Sequence, residues 1–138
     1  MRKIVDDRGL SDRIPLDSAG TIAHHAGNAS DPRMCSAGSR RGYAFTHRAR
    51  QVRPEDFREF DYIVAMDRDN VEDLKRFAPR GGGRTQVSLL LDHCRKTGTC
   101  DVPDPYYGGE DGFEHVMDLV EAGCTAFLDK LVERHNLE

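Results

Sequence analysis

The most regular hydrophobic pattern lies near the end of the chain, between residues 113 and 131. Apolar side chains recur there at intervals of three and four residues, which is typical of an amphipathic helix with one buried face. The positions that form this pattern are Phe113, Val116, Met117, Val120, Cys124, Phe127, Leu128 and Leu131. We therefore predict one long helix whose apolar face packs on the rest of the protein.

Two short apolar segments in the middle of the chain have the pattern of buried strands. DYIVAMD covers residues 61–67 and RTQVSLLLD covers residues 84–92, and the polar helical segment RDNVEDLKRFA lies between them at 68–78. A buried strand, a helix and a second buried strand predict two parallel neighbours in one sheet. The segment RIPLDSAGT, residues 13–21, is predicted to be a further short strand that enters a glycine turn.

Helix-end signals complete this prediction. The first ten residues, MRKIVDDRGL, predict the tail of a helix that stops at Gly9. Asp31 as N-cap and Pro32 at the first helical position predict a helix that stops at Gly42. A short helix is predicted in RPEDFREF, residues 53–60. Alternating strands and helices predict an α/β fold, a three-layer sandwich in which helices flank a short parallel sheet.

Length, composition and charge narrow the class of protein. The chain fits one domain, residues 1–138, with a single packed core. Charged residues make up 32% and the net charge is −4 with both signs interspersed, so we expect no nucleic acid partner. The longest apolar run, residues 87–91, is too short for a bilayer and the start has no apolar export signal, so no membrane partner is expected. The four cysteines form no CxxC pair and no zinc-type spacing, so we expect a cytoplasmic protein with reduced thiols, without a metal or a cofactor.

Five segments follow one another in the order found in a known enzyme family. They are DSAGT (17–21), DPR (31–33), THRARQV (46–52), EDFREFDYIVAMD (55–67) and DPYYGG (104–109). Each short motif also occurs by chance, but together and in this order they resemble the low molecular weight protein tyrosine phosphatases over nearly the whole chain. The resemblance implies a four-stranded parallel sheet flanked by helices, with the chemistry at the carboxyl ends of the strands.

The segment DPYYGG is where the resemblance implies acid catalysis. Enzymes of this family attack a phosphotyrosine with a cysteine thiolate, and the leaving phenolate needs a proton because tyrosine has a pKa of about 10. By resemblance, Asp104 donates that proton and later activates water against the phosphoenzyme. Pro105 keeps the backbone of Asp104 away from helical geometry. Tyr106 and Tyr107 are expected to form a wall of the cleft, so the expected substrate is a phosphotyrosine protein or a small aryl phosphate.

Other matches to the family surround the expected cleft. Ser18 and His47 match positions that hold the phosphate loop by hydrogen bonds; a satisfied buried hydroxyl and imidazole are the alternative. Arg50 and Asp67 are expected to be supporting polar groups beside the cleft. His24 matches a position that often carries an aromatic residue on the opposite wall, where it would contact substrate, and a surface histidine is equally compatible with the sequence.

The start of the sequence departs from the family pattern. The signature loop of the family, Cys-x5-Arg-Ser, follows the first strand and opens the first helix, where backbone amides and the arginine hold the phosphate. Met1 falls inside the segment that matches this helix, so the central first strand and the loop, roughly 20 residues, have no counterpart. We therefore expect an N-terminally truncated chain that is inactive and unstable alone, with exposed strand edges open to self-association.

One internal segment, CSAGSRR, formally fits Cys-x5-Arg through Cys35 and Arg41. A phosphate loop needs a buried strand before it and a helix after it. Asp31 and Pro32 instead start a helix just before Cys35, so the pattern lacks its structural context. We predict that Cys35 is a helical residue without a catalytic role.

The resemblance leaves three interpretations of function. The first is an active phosphatase that is longer than this sequence, and the second is a non-catalytic binding or regulatory protein. The third is an arsenate reductase on the same fold. Such reductases carry a further redox cysteine at the end of the strand that reads IVAMD here, and this sequence has none at that place. The segment DPYYGG also favours the phosphatase.

Overall fold

The computed structural model describes residues 1–21, 32–43, 50–80, 83–94, 98–103 and 109–137. Side chains are described from residue 35 onward in the range 32–43 and from residue 112 onward in the range 109–137. None of the helices in these ranges is long and apolar enough to cross a membrane. The elements are helices α1 (Arg2–Asp7), α2 (Pro32–Ser39), α3 (Asp56–Glu59), α4 (Arg68–Phe77) and α5 (Gly109–His135), strands β1 (Tyr62–Ala65) and β2 (Gln86–Leu89), and a 3₁₀ helix (Leu90–His93).

The two strands form the parallel pair that the sequence predicts. Tyr62 lies opposite Gln86 in the register, and α4 connects the strands and packs against both. Successive side chains of a strand point to opposite faces. Accordingly, Ile63 packs into the cluster that contains the buried residue of α4, while Val64 packs into a cluster that contains residues of α5. The small sheet therefore lies between helices on both faces, which confirms the predicted α/β fold.

The long C-terminal helix α5 follows the predicted apolar pattern. Of the predicted positions, Val120 and Phe127 are partly buried and the others are buried, with no exposed surface left on Leu128. Leu119 is buried as well, although the pattern leaves it out, because it shares a cluster with Leu90 and Leu91 of the 3₁₀ helix. The buried face of α5 is therefore wider than the sequence pattern indicates.

The second predicted strand is shorter than the sequence suggests because the 3₁₀ helix turns its two leucines into the core. This helix lies so close to α5 that a Cβ atom at Gly123 would come within 2.6 Å of Leu90 Cγ. Only glycine lacks that atom. The close approach at Gly123 therefore fixes how the chain leaves β2 and packs on α5.

The first helix ends as predicted and packs on α5. Gly9 has a positive φ of 69°, and the N–H of Leu10 donates to the carbonyl of Val5 at 3.0 Å. Val5 and Leu10 form a buried cluster with Leu128. Because Gly9 is left-handed, the chain turns back after α1, and Leu10 packs on the same apolar face of α5 that α1 covers.

Residues 13–21 do not form the strand that the sequence predicts. Ile14 and Leu16 pack on the cluster of α1 and α5, and the only bridge that the described residues give this segment joins Gly20 to Gln51 in parallel. A strand forms only where a neighbour supplies hydrogen bonds along its length. Among the described residues, β1 pairs with β2 and with no other strand.

Candidate functional site

Polar side chains lie at the carboxyl end of β1, the end of a parallel sheet at which α/β proteins place their sites. Asp67 follows this strand with extended backbone geometry and is the N-cap of α4. Its Oδ1 accepts the N–H of Asn70 at 2.7 Å. The structure therefore gives Asp67, a residue expected beside the cleft, a defined part in fixing the start of α4.

The segment that carries Ser18 is fixed to residues 50–52 by two backbone hydrogen bonds. The N–H of Gly20 donates to the carbonyl of Arg50 at 2.8 Å, and the N–H of Val52 donates to the carbonyl of Gly20 at 2.8 Å. Because Val52 belongs to the cluster on the α4 side of the sheet, these bonds tie an exposed segment to the core.

A side-chain hydrogen bond also attaches the segment of Ser18 to α4. Thr21 Oγ1 donates to Asp73 Oδ2 of α4 at 3.1 Å. The backbone N–H of Ser18 donates to Asp17 Oδ1 at 2.8 Å, and Ser18 is exposed. The alternative that Ser18 is a buried hydroxyl is therefore wrong, because its segment lies on the surface.

Arg50 is the centre of a set of ion pairs that we call the Arg50 junction. Its guanidinium donates to both carboxylate oxygens of Asp56, at 3.0 and 3.1 Å, and to Asp17 Oδ2 at 3.1 Å. The N–H of Arg53 also donates to Asp56 Oδ2 at 2.9 Å, and the Asp56 side chain is only 3% exposed. A buried carboxylate with this many donors is compensated for its loss of hydration.

The charges in this junction shift one another's pKa values. Burial alone raises the pKa of Asp56, but the hydrogen bonds from Arg50 and from the N–H of Arg53 outweigh it, so the pKa is lowered overall. The hydrogen bond to Asp56 raises the pKa of Arg50. Asp17 and Asp56 lie inside the segments DSAGT and EDFREFDYIVAMD that match the family, but no pattern in the sequence pairs them with Arg50.

Residues 101 and 102 lie at the carboxyl end of β1. The N–H of Val102 donates to the carbonyl of Met66 at 2.8 Å. Asp101 accepts hydrogen bonds from the backbone N–H and from the guanidinium of Arg68, at 3.0 and 3.1 Å. The hydrogen bonds from Arg68 lower the pKa of Asp101. No motif in the sequence marks Arg68 or Asp101 as a site residue.

Five of the predicted site residues lie outside the described residues. They are His24, His47, Asp104, Tyr106 and Tyr107. Their expected roles stay predictions, and the described geometry concerns the segments that precede and follow them.

The Cys35 to Arg41 pattern is not a phosphate loop. Cys35 lies inside α2, as predicted. Arg41 donates to carboxylates of α5 at 2.7 Å (Glu114), 2.9 Å (Asp118) and 2.8 Å (Glu121). The hydrogen bonds that Arg41 donates to Glu121 and Glu114 raise the pKa of Arg41. An arginine surrounded by these carboxylates cannot cradle a phosphate dianion, which they would repel.

The cysteines are free thiols, and burial raises the pKa of the Cys124 thiol. Within the described ranges, no three His, Cys, Asp or Glu side chains are placed together to hold a metal ion. Near the carboxyl end of β1, the polar contacts of Arg50 and of Arg68 are guanidinium–carboxylate pairs. Such pairs hold the segments around the end of β1 in fixed positions.

Comparison with known proteins identifies the family of this α/β chain. The model of the low molecular weight phosphotyrosine protein phosphatase family matches residues 1–137. A protein of Synechocystis sp., provisionally named a low molecular weight protein-tyrosine-phosphatase, is 46% identical over 131 residues, which are 95% of this chain and 83% of the relative. The human low molecular weight phosphotyrosine protein phosphatase is 37% identical over 135 residues, with 94% of this chain and 82% of its own length covered.

A solved structure agrees with these relatives. The crystal structure of a protein tyrosine phosphatase from Entamoeba histolytica, with Hepes in its active site, matches with a TM-score of 0.90 and 39% identity, over 97% of this chain and 85% of that one. By fold, this chain is therefore an α/β protein of the same architecture as that phosphatase. It belongs to the low molecular weight phosphotyrosine protein phosphatase family, which confirms the resemblance seen in the motifs.

Proposed function

We propose that this protein is a tyrosine phosphatase that hydrolyses phosphotyrosine through a cysteinyl-phosphate intermediate. The observation that carries the proposal is the family match over residues 1–137, with relatives at 37% and 46% identity that bear the names of such phosphatases. The attachment of Asp101 and Val102 to the carboxyl end of β1 supports it, because α/β enzymes do their chemistry there.

The proposed reaction has two steps. A cysteine thiolate attacks phosphorus, so that a sulfur–phosphorus bond forms while the bond to the tyrosyl oxygen breaks. The leaving oxygen takes the proton of the Asp104 carboxyl. In the second step a water molecule loses a proton to the Asp104 carboxylate and attacks phosphorus, which releases the thiolate and inorganic phosphate.

The remaining site residues have binding and supporting roles in this proposal. Tyr106 and Tyr107 contact the substrate ring on one wall of the cleft and His24 contacts it on the other. Ser18 and His47 hold the phosphate-binding loop. The hydrogen bonds of Arg50 to Asp17 support such a role for Arg50, because Asp17 is the neighbour of Ser18.

We further propose that the nucleophile belongs to a strand and a Cys-x5-Arg-Ser loop, and that this strand would pair with the edge of β1 opposite β2, which no other strand of the described residues occupies. Within the 138 residues, Cys-x5-Arg occurs only at Cys35, and the carboxylates of α5 hold Arg41. The 138 residues by themselves are then expected to contain the acid but not the nucleophile, and to lack phosphatase activity.

The test compares two proteins with p-nitrophenyl phosphate as substrate. One is the 138-residue chain, and the other, the extended form, is the same chain preceded by a strand and a Cys-x5-Arg-Ser loop of the family pattern. We expect turnover only by the extended form, and none after its loop cysteine is replaced by serine. A folded but inactive extended form would contradict the proposed function. Turnover by the 138-residue chain that Cys35→Ser abolishes would instead assign the chemistry to Cys35.

A second experiment tests the role of Asp104 in the extended form. Asp104→Asn should slow the reaction by ~10²-fold or more for phenyl phosphate, whose leaving group needs a proton. The loss should be much smaller for p-nitrophenyl phosphate, because that leaving group departs readily as an anion. Equal losses for the two substrates would remove Asp104 from the acid role.

The same proteins address the other features of the proposal. Binding of a phosphotyrosine peptide by the 138-residue chain without turnover would favour a non-catalytic binding role. A single domain over residues 1–138 predicts one cooperative unfolding transition for the extended form. Self-association through the edge of β1 predicts a concentration-dependent sedimentation coefficient for the 138-residue chain, which the added strand should abolish. A cytoplasmic location stays a prediction.

A further inference from the structure

We propose that Lys130 and Arg134, two exposed residues of α5, form a docking surface for an acidic segment of a partner protein. The two residues are four positions apart, so their side chains are neighbours on one face of the helix. We call this pair the α5 basic patch. The proposal does not depend on the proposed phosphatase chemistry.

The charges of the α5 basic patch have neutral acceptors. Lys130 Nζ donates to Nδ1 of His93 at 3.3 Å, and a ring nitrogen that accepts a proton carries no charge of its own. Arg134 Nη1 donates to Oε1 of the Gln86 amide at 3.2 Å. An ammonium group has three N–H donors and a guanidinium has five. Most donors of the patch therefore remain available to a further acceptor.

Neither cation of the patch pairs with a carboxylate of the described residues. Other lysines in helices do have such partners: Lys3 pairs with Asp7 at 2.9 Å, and Lys75 pairs with Glu72 at 2.8 Å. Like charges four positions apart on a helix repel each other. A carboxylate supplied by a partner would relieve this repulsion, whereas the other lysines already have one within their own helix.

Neighbouring groups do not account for both charges. Asp129 pairs with Arg8, and Glu133 makes no ion pair in the described part of the chain. The partial negative charge at the end of a helix favours cations in the last turn. That turn contains Arg134, but Lys130 precedes it.

An aromatic ring of the sheet holds Arg134 in place. Its guanidinium carbon lies 5.9 Å from the centroid of the Tyr62 ring, which is a cation–π distance. The Tyr62 ring packs edge-to-face on Phe127 at 5.6 Å, and its hydroxyl oxygen lies 2.9 Å from Nε2 of His135. A side chain that is already held loses less conformational freedom when a partner binds. The patch is therefore preorganised for binding.

The patch lies at the amino end of the strands. Tyr62 and Gln86, which contact Arg134, are the first residues of β1 and β2 and lie opposite each other in the register. The candidate site is at the carboxyl end, about 10 Å further along a strand of this length. A partner bound at the patch would therefore leave the carboxyl end of the sheet open.

The surroundings of the patch favour an acidic protein segment over a nucleic acid. Tyrosine and arginine are enriched at protein interfaces, and a guanidinium accepts a carboxylate through two parallel hydrogen bonds. Nucleic acid binding requires a longer basic stripe, whereas this patch has two permanent charges on a chain of net charge −4. The partner that fits is thus a short segment rich in aspartate or glutamate.

The test measures the affinity of the 138-residue chain for a fluorescent hexaglutamate peptide by anisotropy, and repeats it with the extended form. Arg134→Ala should weaken binding by roughly threefold, and Lys130→Ala with Arg134→Ala by roughly tenfold. Added salt should weaken binding by the wild type. The matched control is Lys75→Ala with Arg76→Ala, which removes the same charge from cations that already have carboxylate partners. This control should stay within about twofold of the wild type.

Three outcomes would overturn the proposal. One is a wild-type chain that does not bind hexaglutamate even at low salt. Another is equal weakening by the two double variants, because binding would then follow net charge and not the patch. The third is binding of an oligothymidylate that is tighter than that of hexaglutamate at the same ionic strength and is lost in the Lys130 and Arg134 double variant. That result would assign the patch to nucleic acid.

A second measurement needs no variant and so does not depend on how the variants fold. Amide chemical shifts of the wild-type chain are recorded by NMR as hexaglutamate is added. The largest changes should lie at residues 130–135 and at the side-chain amide of Gln86. Arg58 and Arg80 are exposed arginines that also make no ion pair within the described ranges. Changes concentrated at those two residues would place the docking surface elsewhere and contradict the proposal.

Discussion

The two faces of the sheet are held together by different interactions. On the α5 face, α1, α2 and the 3₁₀ helix pack on one long helix, and three of the four buried clusters of the described residues contain residues of α5. The α4 face has one apolar cluster, and two polar contacts accompany it: the Arg50 junction and the hydrogen bond of Thr21 to Asp73. Arg41 also pairs with carboxylates of α5, but the ion pairs on that face accompany three apolar clusters. On the α4 face there is a single cluster, and Arg50 joins Asp17 beside the cleft to Asp56 there.

The largest expected effect tests the apolar side. Leu128→Ala removes a side chain with no exposed surface from the cluster of α1 and α5 and should lower the free energy of unfolding by about 2–5 kcal/mol. Leu16→Ala is the matched control, because Leu16 packs on the same cluster but is only partly buried. Denaturant unfolding of both variants checks this. Equal losses would show that burial does not set the stability of this face.

The next effect tests the polar side. Asp56→Ala removes the acceptor of the Arg53 N–H and one of the two carboxylates that pair with Arg50, and should cost about 1–3 kcal/mol. Glu59→Gln, an exposed carboxylate in the same short helix, should cost less than about 0.5 kcal/mol. Hydrogen exchange should also rise at Gly20 and Val52 in Asp56→Ala, and not in α5. Exchange that rises uniformly through the protein would contradict the separation of the two faces.

The sign of the pH dependence follows from the lowered pKa of Asp56. The unfolded chain binds this proton near pH 4, whereas the folded chain binds it only at lower pH. The contribution of Asp56 is therefore fully present above about pH 4 and is lost as the pH falls through the folded value. Asp56→Asn should flatten the acid limb of a stability curve, and an unchanged limb would show that Asp56 is not the group that titrates.

The smallest effect concerns His93, on the α5 face. Its Nε2 lies 2.9 Å from Ser88 Oγ and its Nδ1 lies 3.3 Å from Lys130 Nζ, so Nδ1 accepts and the ring is neutral. Burial lowers the pKa of His93 and the charge of Lys130 lowers it further, against Asp92. Stability should therefore be constant above about pH 7 and fall slightly as the pH drops through about 6.5, where the unfolded chain takes up the proton first. His93→Gln should remove this slope, and a slope that survives the substitution would exclude His93 as its cause.

Local patterns predict most of the helices and the strand pair. The apolar spacing of α5, the left-handed Gly9 and the segment that becomes β1 are all confirmed, because each depends on neighbours within a few positions. The segment at residues 13–21 is the failure. Its sequence has the composition of a strand, but a strand also requires a distant partner, and no pattern within nine residues contains that partner.

The candidate site is less predictable for the same reason. Motif order is enough to find the family and to single out Arg50 and Asp67. The pairing of Arg50 with Asp17, and of Arg68 with Asp101, joins residues 33 positions apart in each case. Charged residues are frequent in this chain, so which guanidinium meets which carboxylate follows from the fold and not from spacing.

The order of the elements along the chain has a consequence for the pathway of folding. The unit of β1, α4 and β2 is continuous in sequence, so its contacts close short loops and can form early. The attachment of α1 to α5 closes almost the entire chain, since Arg8 and Asp129 are 121 positions apart. We expect this closure after the rate-limiting step, so that weakening it accelerates unfolding and leaves the rate of folding nearly unchanged.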